Sequence, residues 1–229
     1  MGRLVSAAQK LTIDFDGDGV IDQWGFGGLN WGAFAGRIGA VTLDVERHKS
    51  TYSTPLVIKS ITFCRDLIYR YKVHPPPSVR VDETESFSTG KLSMTIAGAW
   101  NLRMFNRSEY RWDIAPIPMD TKDRKRRGGG GGVGHCICAQ TRHPNEAWRL
   151  VRFLSGDSGQ RALARSGTSV PVLKRAAYSE DFMAPFDRPA KSSYHVIFDN
   201  FVQDPIPPTY CRGYLEYTRR STEIHGVAS

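Results

Sequence analysis

The stretch FSTGKLSMTIAGAW at residues 87–100 is the strongest indication of the fold of this chain. Apolar and polar residues alternate over 91–97, which is the period of a strand with one buried face. A turn at Gly90 opens this strand, and the sequence Gly98-Ala99-Trp100-Asn101 follows it directly. In α/β folds, ligands bind beyond the carboxyl ends of strands. The residues around Trp100 are therefore the first candidates for a binding site.

The positions of the prolines predict a helix before this strand. Thr54 and Pro55 form a favourable pair of N-cap and first-turn residues. Three prolines at 75–77 end the helix. The residues of its predicted apolar face lie at helical spacing: Val57, Ile61, Cys64, Ile68 and Tyr71.

Two further helices follow the glycine-rich middle of the chain. One begins at residues 143–146, and the other restarts at Ser155 and closes at Gly167. The first carries an apolar stripe of Ala147, Leu150, Val151 and Leu154. With strands predicted over 91–97 and 133–139 and a last helix over 213–224, the alternation of strands and helices predicts an α/β fold.

Composition narrows the class of protein. Of the 229 residues, 40% are hydrophobic and 24% are charged, as in soluble globular domains. This excludes a disordered chain, a collagen-like fibre and a small disulfide scaffold. No apolar run reaches the roughly 18 residues that a membrane-spanning helix needs, so we expect no membrane span in this chain. The apolar stretch at 4–8 is too short for an export signal, so we expect the chain to lack one.

The net charge of +8 raises the question of an acidic partner. Much of it lies in a basic cluster, Lys122 and Arg124 to Arg127, beside five glycines at 128–132. Such a cluster could bind an anionic polymer. Nucleic-acid modules interleave aromatic residues with basic ones, and none occurs between Asp113 and His135. We therefore favour a solvated loop and expect no nucleic-acid partner.

The segment Asp14–Asp22 matches the first nine positions of a calcium-binding loop. Gly25 occupies position twelve, where the bidentate glutamate belongs, and the residues after it are poor helix formers. The favoured interpretation is a tight turn whose carboxylates accept hydrogen bonds from their own backbone. A bound Ca²⁺ remains the alternative.

The segment 128–143 offers other chemistry. His135, Cys136, Cys138 and His143 suggest zinc, but a strand over 133–139 would point the two cysteines to one side and His135 to the other. We therefore expect core cysteines. The glycine run lacks both the Walker ending and the helix that a dinucleotide site needs. A metal- or nucleotide-dependent α/β enzyme using this segment is the alternative function, and we expect no cofactor.

The side chain of Trp100 suits a sugar better than a metal ion or a nucleotide. Its indole offers a flat apolar face to a sugar ring. Asn101 and Arg103 beside it can hydrogen bond to hydroxyls. The alternative is a tryptophan in the core.

The order of the motifs resembles a known family. The stretch 87–100 resembles the pattern F-x-x-G-K-x-A-M-x-x-x-G-x-W of bacterial extracellular solute-binding proteins, the maltose-binding-protein-like group of ABC sugar importers. WDIAPIP at 112–118 and HPNEAW at 143–148 resemble the segments that follow it, and the turn at 11–26 resembles an earlier one. The resemblance runs in order over about residues 5–180.

The resemblance implies an α/β fold of the periplasmic-binding-protein type II class, incomplete, with mostly the second lobe and a piece of the first. Residues 1–127 would form the first part of the second lobe. Residues 128–168 would form the crossing and a remnant of the first lobe, and 169–229 would return to the second. A strand at 133–139 without its sheet would expose core surface, so we expect poor solubility or aggregation.

The implied function is to bind a carbohydrate or related polyol for an ABC importer, without catalysis. The implied partners are that ligand and the permease subunits, and the family is periplasmic or extracytoplasmic. The candidate ligand-binding residues are Trp100, Asn101, Arg103, Gly132, Gly134, Trp31 and Asn30.

Overall fold

Helices dominate the computed structural model, which describes residues 2–44, 46, 49–118, 127, 132–183, 188–202 and 216. The α-helices are α1 (Gly2–Leu11), α2 (Trp31–Arg37), α3 (Pro55–Tyr69), α4 (Glu83–Ser88), α5 (Leu102–Phe105), α6 (Pro144–Ser155), α7 (Asp157–Ser166), α8 (Lys174–Ala177), α9 (Glu180–Met183) and α10 (His195–Val202). Short 3₁₀ helices span Ala99–Asn101 and Lys191–Tyr194. Strands β1 (Leu43–Asp44) and β2 (Lys49–Ser50) pair antiparallel.

Two extended segments run parallel through the centre of the first half. Trp24 forms a bridge with Leu92, and Gly27 forms one with Thr95. The Gly27 N–H donates to the Met94 carbonyl at 2.8 Å. The strand predicted over 91–97 is therefore present as isolated bridges and not as a continuous ladder.

The bridged segments approach each other closely. A Cβ at Gly27 would lie 2.5 Å from Cδ1 of Leu92. Gly28 has a positive φ of 78° and sits against the backbone of Ile96. Glycine is needed here because a side chain would push the two segments apart.

Helix α3 begins at Pro55, as predicted. Its Thr54 hydroxyl donates to the Thr51 carbonyl at 2.8 Å and makes no cap to the helix. The buried face is rotated from the predicted one: it comprises Val57, Ser60, Cys64 and Leu67, and Ile61 is exposed. Packing of α3 against α2 sets this rotation, which spacing alone does not fix.

The pair α6 and α7 also follows the prediction. Helix α6 begins at Pro144, and α7 ends at Ser166, followed by the C-cap Gly167, whose φ of 63° is the left-handed conformation that favours glycine. Helix α7 begins at Asp157, two residues after the predicted restart at Ser155. Leu150, predicted to face the core, is exposed, whereas Ala147, Val151 and Leu154 of the same predicted stripe are half-buried.

The predicted strand at 133–139 is wrong. Residues 133–139 form neither a strand nor a bridge, and Val133 is 90% exposed. Cys136 and Cys138 are free and exposed, so the expectation of core cysteines is wrong as well. A strand needs neighbours on its edges, and the described residues supply none here.

Apolar clusters join distant parts of the chain. Phe34 on α2, Cys64 and Leu67 on α3 and Val73 share one cluster. Another brings Ala164 of α7 together with Leu102, Phe182 and Tyr194.

Among the helices that the structure describes, none has both the length and the apolar composition that crossing a bilayer requires. The helix predicted over 213–224 lies outside the described residues except for Glu216.

Candidate functional site

The candidate site lies where the two parallel segments end. Asn30 and Trp31 follow Gly27 by a few residues, and Trp100 and Asn101 follow Thr95 in the same way. Because the bridges are parallel, both segments leave the pair at the same edge. The two predicted pairs, Asn30–Trp31 and Trp100–Asn101, therefore both follow the same end of the bridged segments.

Trp100 presents its indole to solvent. The side chain lies in the 3₁₀ helix Ala99–Asn101 and is 68% exposed. The ring lies over Gly98, since a Cβ there would be 2.5 Å from Cε3 of Trp100 and closer still to two other ring atoms. The alternative of a core tryptophan is therefore excluded by the structure.

The backbone that carries Trp100 is anchored from below. Leu102 and Phe105, at the two ends of α5, are buried. The rings of Phe105 and Phe87 pack with centroids 4.6 Å apart. An exposed aromatic ring on an anchored backbone is pre-organised to bind, because little ordering entropy is lost when a ligand arrives.

The polar neighbours of Trp100 have different environments. Asn101 is half-buried, and its Nδ2 donates to Oγ1 of Thr84 on α4 at 3.2 Å. This bond fixes the plane of the amide. Arg103 is exposed on α5. Asn101 is thus a positioned group, whereas Arg103 can adjust to a ligand.

The side chains of Asn30 and Trp31 both make contacts that stabilise the fold. Asn30 is the N-cap of α2, and its Oδ1 accepts a hydrogen bond from the Ala33 N–H at 2.9 Å. Trp31 is half-buried, and its ring packs against Tyr52 with centroids 5.3 Å apart. Sequence reasoning missed Tyr52, which had no signal beyond being one aromatic in a mixed segment.

Gly132 and Gly134 lie in open space. No atom lies within 4 Å of the position that a Cβ would take at either residue, Trp100 included. A place for these two glycines beside the candidate site therefore stays a prediction.

The Asp14–Asp22 segment is a tight turn held by its own carboxylates. Gly19 N–H donates to Oδ2 of Asp14 at 2.9 Å, and this bond is the main cause that lowers the pKa of the Asp14 carboxyl. Asp16 and Asp18 each accept a bond from a backbone N–H two residues on. Gly17 and Gly19 have the positive φ that the turn requires.

Carboxylate oxygens of Asp14, Asp16 and Asp18 lie within 4.8 Å of one another. In the described part of the chain, this is the sole set of three or more potential metal ligands that converges, and the His and Cys residues at 135–143 do not assemble one. Asp16 and Asp18 are exposed and Asp14 is half-buried, and hydrogen bonds from backbone N–H groups account for the arrangement of the three carboxylates.

A surface cavity of about 480 Å³ lies elsewhere, lined by Arg111, Trp112, Asp113, Arg188 and Ala190. Nη1 of Arg188 donates to the carbonyls of Ser108, at 3.3 Å, and Tyr110. Sequence reasoning missed this cavity, because its two walls are far apart in the chain.

The sequence matches the family model for bacterial extracellular solute-binding proteins over residues 3–161. The chain belongs to this family. The family is one of solute-binding proteins. No curated protein is similar enough to count as a match.

Solved structures show the same fold. The maltose/maltodextrin-binding domain MalE from Bdellovibrio bacteriovorus, bound to maltotriose, is similar with a TM-score of 0.70 and 21% identity, over 91% of this chain and 56% of that one. UspC from M. tuberculosis is similar with a TM-score of 0.64 and 19% identity, over 93% and 56%. The chain has the type II periplasmic-binding-protein fold in part, and it spans little more than half the length of these neighbours.

Proposed function

We propose that this chain forms one wall of a cleft that binds a carbohydrate or related polyol for delivery to an ABC importer outside the cytoplasm, without catalysis. The observation that carries the proposal is the exposed Trp100 indole on an anchored backbone at the edge where two parallel segments end. Membership of a solute-binding family and the likeness to a domain bound to maltotriose support it.

The chemistry assigns each candidate a role. The Trp100 ring would pack against the C–H face of a sugar, which excludes water from one side of the ligand. Asn101 and Arg103 would hydrogen bond to hydroxyls, which accept as well as donate. Trp31 and Asn30 would border the ligand from the neighbouring segment.

We also propose that the chain is divided between two lobes. Residues 1–127 and 169–229 would belong to the second lobe, and 128–168 would cross to the first. In that arrangement Gly132 and Gly134 would border the cleft once both lobes are present. Closure of two lobes on a ligand is a hinge motion.

A fluorescence titration tests the proposal. Maltotriose, glucose and mannitol are added to the purified chain, and intrinsic tryptophan emission is recorded. We expect a saturable change with at least one of these ligands that is lost in Trp100→Phe. Trp148→Phe is the matched control, because Trp148 is also exposed but lies on α6. A response that survives Trp100→Phe, or no response to any of the ligands, would contradict the proposal.

A further inference from the structure

The surface cavity of about 480 Å³ lies between two segments that are far apart in the chain. Residues 111–113 form one wall, and Arg188 and Ala190 form the other. This volume is within the roughly 300–1,000 Å³ that small-molecule sites occupy. The cavity is separate from the proposed sugar site, because Trp100 is not among the described residues that line it.

Both walls of the cavity are held by contacts with their neighbours. Nη1 of Arg188 donates to the carbonyls of Ser108 and Tyr110, which joins the second wall to the residues just before the first. The indole of Trp112 packs edge-on against the buried ring of Phe105, with centroids 5.7 Å apart. A cavity with walls held in this way is pre-organised, because little ordering entropy is lost when a ligand binds.

The cavity is lined by charged side chains that do not neutralise one another. Within the part of the chain that the structure describes, no ion pair joins Asp113 to Arg111 or to Arg188. Oδ1 of Asp113 accepts a hydrogen bond from the Ile114 N–H at 2.8 Å. The side chain of Arg111 is exposed and makes no hydrogen bond to any described residue. Two guanidinium groups against one carboxylate leave the cavity with an excess of positive charge.

This excess charge favours an anionic ligand. A guanidinium group binds a carboxylate or a phosphate through two parallel N–H donors. Arg188 retains Nε and Nη2 for such a pair, because its hydrogen bonds to the two carbonyls use Nη1. The net charge of +8 on the whole chain also attracts anions to its surface.

The rest of the lining favours a hydroxylated ring as the body of the ligand. Trp112 is half-buried and lines the cavity, and an indole packs well against the C–H face of a sugar ring. The carboxylate of Asp113 accepts hydrogen bonds and donates none, so it matches the hydroxyls of such a ring. It also repels the anionic group of the ligand, which therefore lies at the arginines. A metal cation is a poorer ligand, because two guanidinium groups repel it.

We propose that the cavity between residues 111–113 and 188–190 binds an anionic sugar, which is a hydroxylated ring that carries one carboxylate or phosphate group. Arg111 and Arg188 hold the anionic group, Trp112 packs against the ring, and Asp113 accepts from its hydroxyls. This second site acts without Trp100.

Calorimetric titration of the full 229-residue chain tests the proposal. The probes are glucuronate and glucose-6-phosphate, and glucose is their neutral counterpart with the same ring. Each titration is made with the wild type and with Trp100→Phe, in which the proposed sugar site has lost its indole. In both proteins we expect an anionic probe to bind saturably and at least about tenfold more tightly than glucose binds to Trp100→Phe. Binding of glucuronate would identify the anionic group as a carboxylate, and binding of glucose-6-phosphate would identify it as a phosphate.

Arg111→Gln is the decisive variant. Its side chain is exposed and has no partner in the described structure, so the change should leave the chain folded, which thermal melting checks. Affinity for the anionic probe should fall at least about tenfold, because a charge-assisted hydrogen bond is lost. Arg107→Gln is the matched control, because Arg107 is also exposed and carries the same charge but does not line the cavity. That variant should bind the probe as the wild type does.

Three results would overturn the proposal. One is the absence of saturable binding by both anionic probes. Another is equal affinity in Arg111→Gln and Arg107→Gln, which would place the ligand outside the cavity. The third is acetate or inorganic phosphate that binds as tightly as the probe with the same anionic group, which would show that the ring is not recognised. None of these results concerns a neutral sugar at Trp100, so failure here is distinguishable from failure of the sugar-binding proposal.

Discussion

Replacing Gly98 by alanine should weaken sugar binding without unfolding the chain. The new Cβ would lie 2.5 Å from Cε3 of Trp100, whereas carbon atoms in contact stay about 3.5–4.0 Å apart. The indole must therefore retreat by about 1 Å or more. Gly98 has φ −90° and ψ 164°, a conformation that alanine adopts freely, so the backbone is not strained.

The magnitude follows from what the ring contributes. A well-placed aromatic contact supplies roughly 0.5–1.5 kcal/mol, so its loss should raise Kd about two- to twelvefold. The ring is 68% exposed and can move into solvent. The free energy of unfolding should therefore change by less than about 1 kcal/mol.

Gly90→Ala is the matched control. Gly90 has a φ of 82°, where a side chain costs about 1–2 kcal/mol. That variant should melt lower by roughly 2–8 °C and bind as the wild type does. Fluorescence titration and thermal melting of both variants provide the assay. Unchanged affinity in Gly98→Ala would refute the inference that the placement of the Trp100 ring matters.

Other predictions concern packing, thiols and acid. Leu67→Ala should lower the free energy of unfolding in urea by about 2–5 kcal/mol, because Leu67 is fully buried, whereas Ile61→Ala at an exposed position should cost less than about 1 kcal/mol. Burial raises the pKa of the Cys64 thiol to about 12, so iodoacetamide at pH 8 should modify exposed Cys136 and spare Cys64 until the chain unfolds. The hydrogen bond from Gly19 N–H lowers the pKa of the Asp14 carboxyl in the folded state. The stability that this bond provides is therefore present above the unfolded pKa of about 3.9 and is lost as pH falls through the folded pKa. Asp14→Asn should reduce the acid dependence of thermal melting below about pH 4.

Three helix ends could be predicted because they are set by local chemistry, whereas α3 ends at Tyr69, well before the prolines at 75–77 that were expected to end it. Pro55, Pro144 and Gly167 act through their own backbone geometry, and each lies where the sequence placed it. The faces of those helices were harder to predict. Ile61 and Leu150 satisfy the spacing rule, but the neighbouring helix decides which part of a wide apolar stripe is covered.

The strand at 133–139 could not be judged from its own residues. Alternating apolar residues describe a strand that has neighbours, and the sequence of one segment does not reveal whether those neighbours are present. For the same reason the sequence predicts core positions for Cys136 and Cys138, which are exposed in the structure.

Some features of the candidate site could be predicted from the sequence and others could not. The exposure of Trp100 agrees with its position at a strand end. The packing of Trp31 against Tyr52 and the cavity between Arg111 and Arg188 depend on contacts between distant segments, which spacing in the chain does not encode.

The most direct test of the sugar-binding account is the indole N–H region of a ¹H–¹⁵N NMR spectrum during a maltotriose titration. Signals are assigned with single Trp→Phe variants. If the Trp100 ring packs against the sugar, its indole signal shifts in a saturable way while that of Trp148 stays in place. A Trp100 signal that does not move while another tryptophan responds would contradict it.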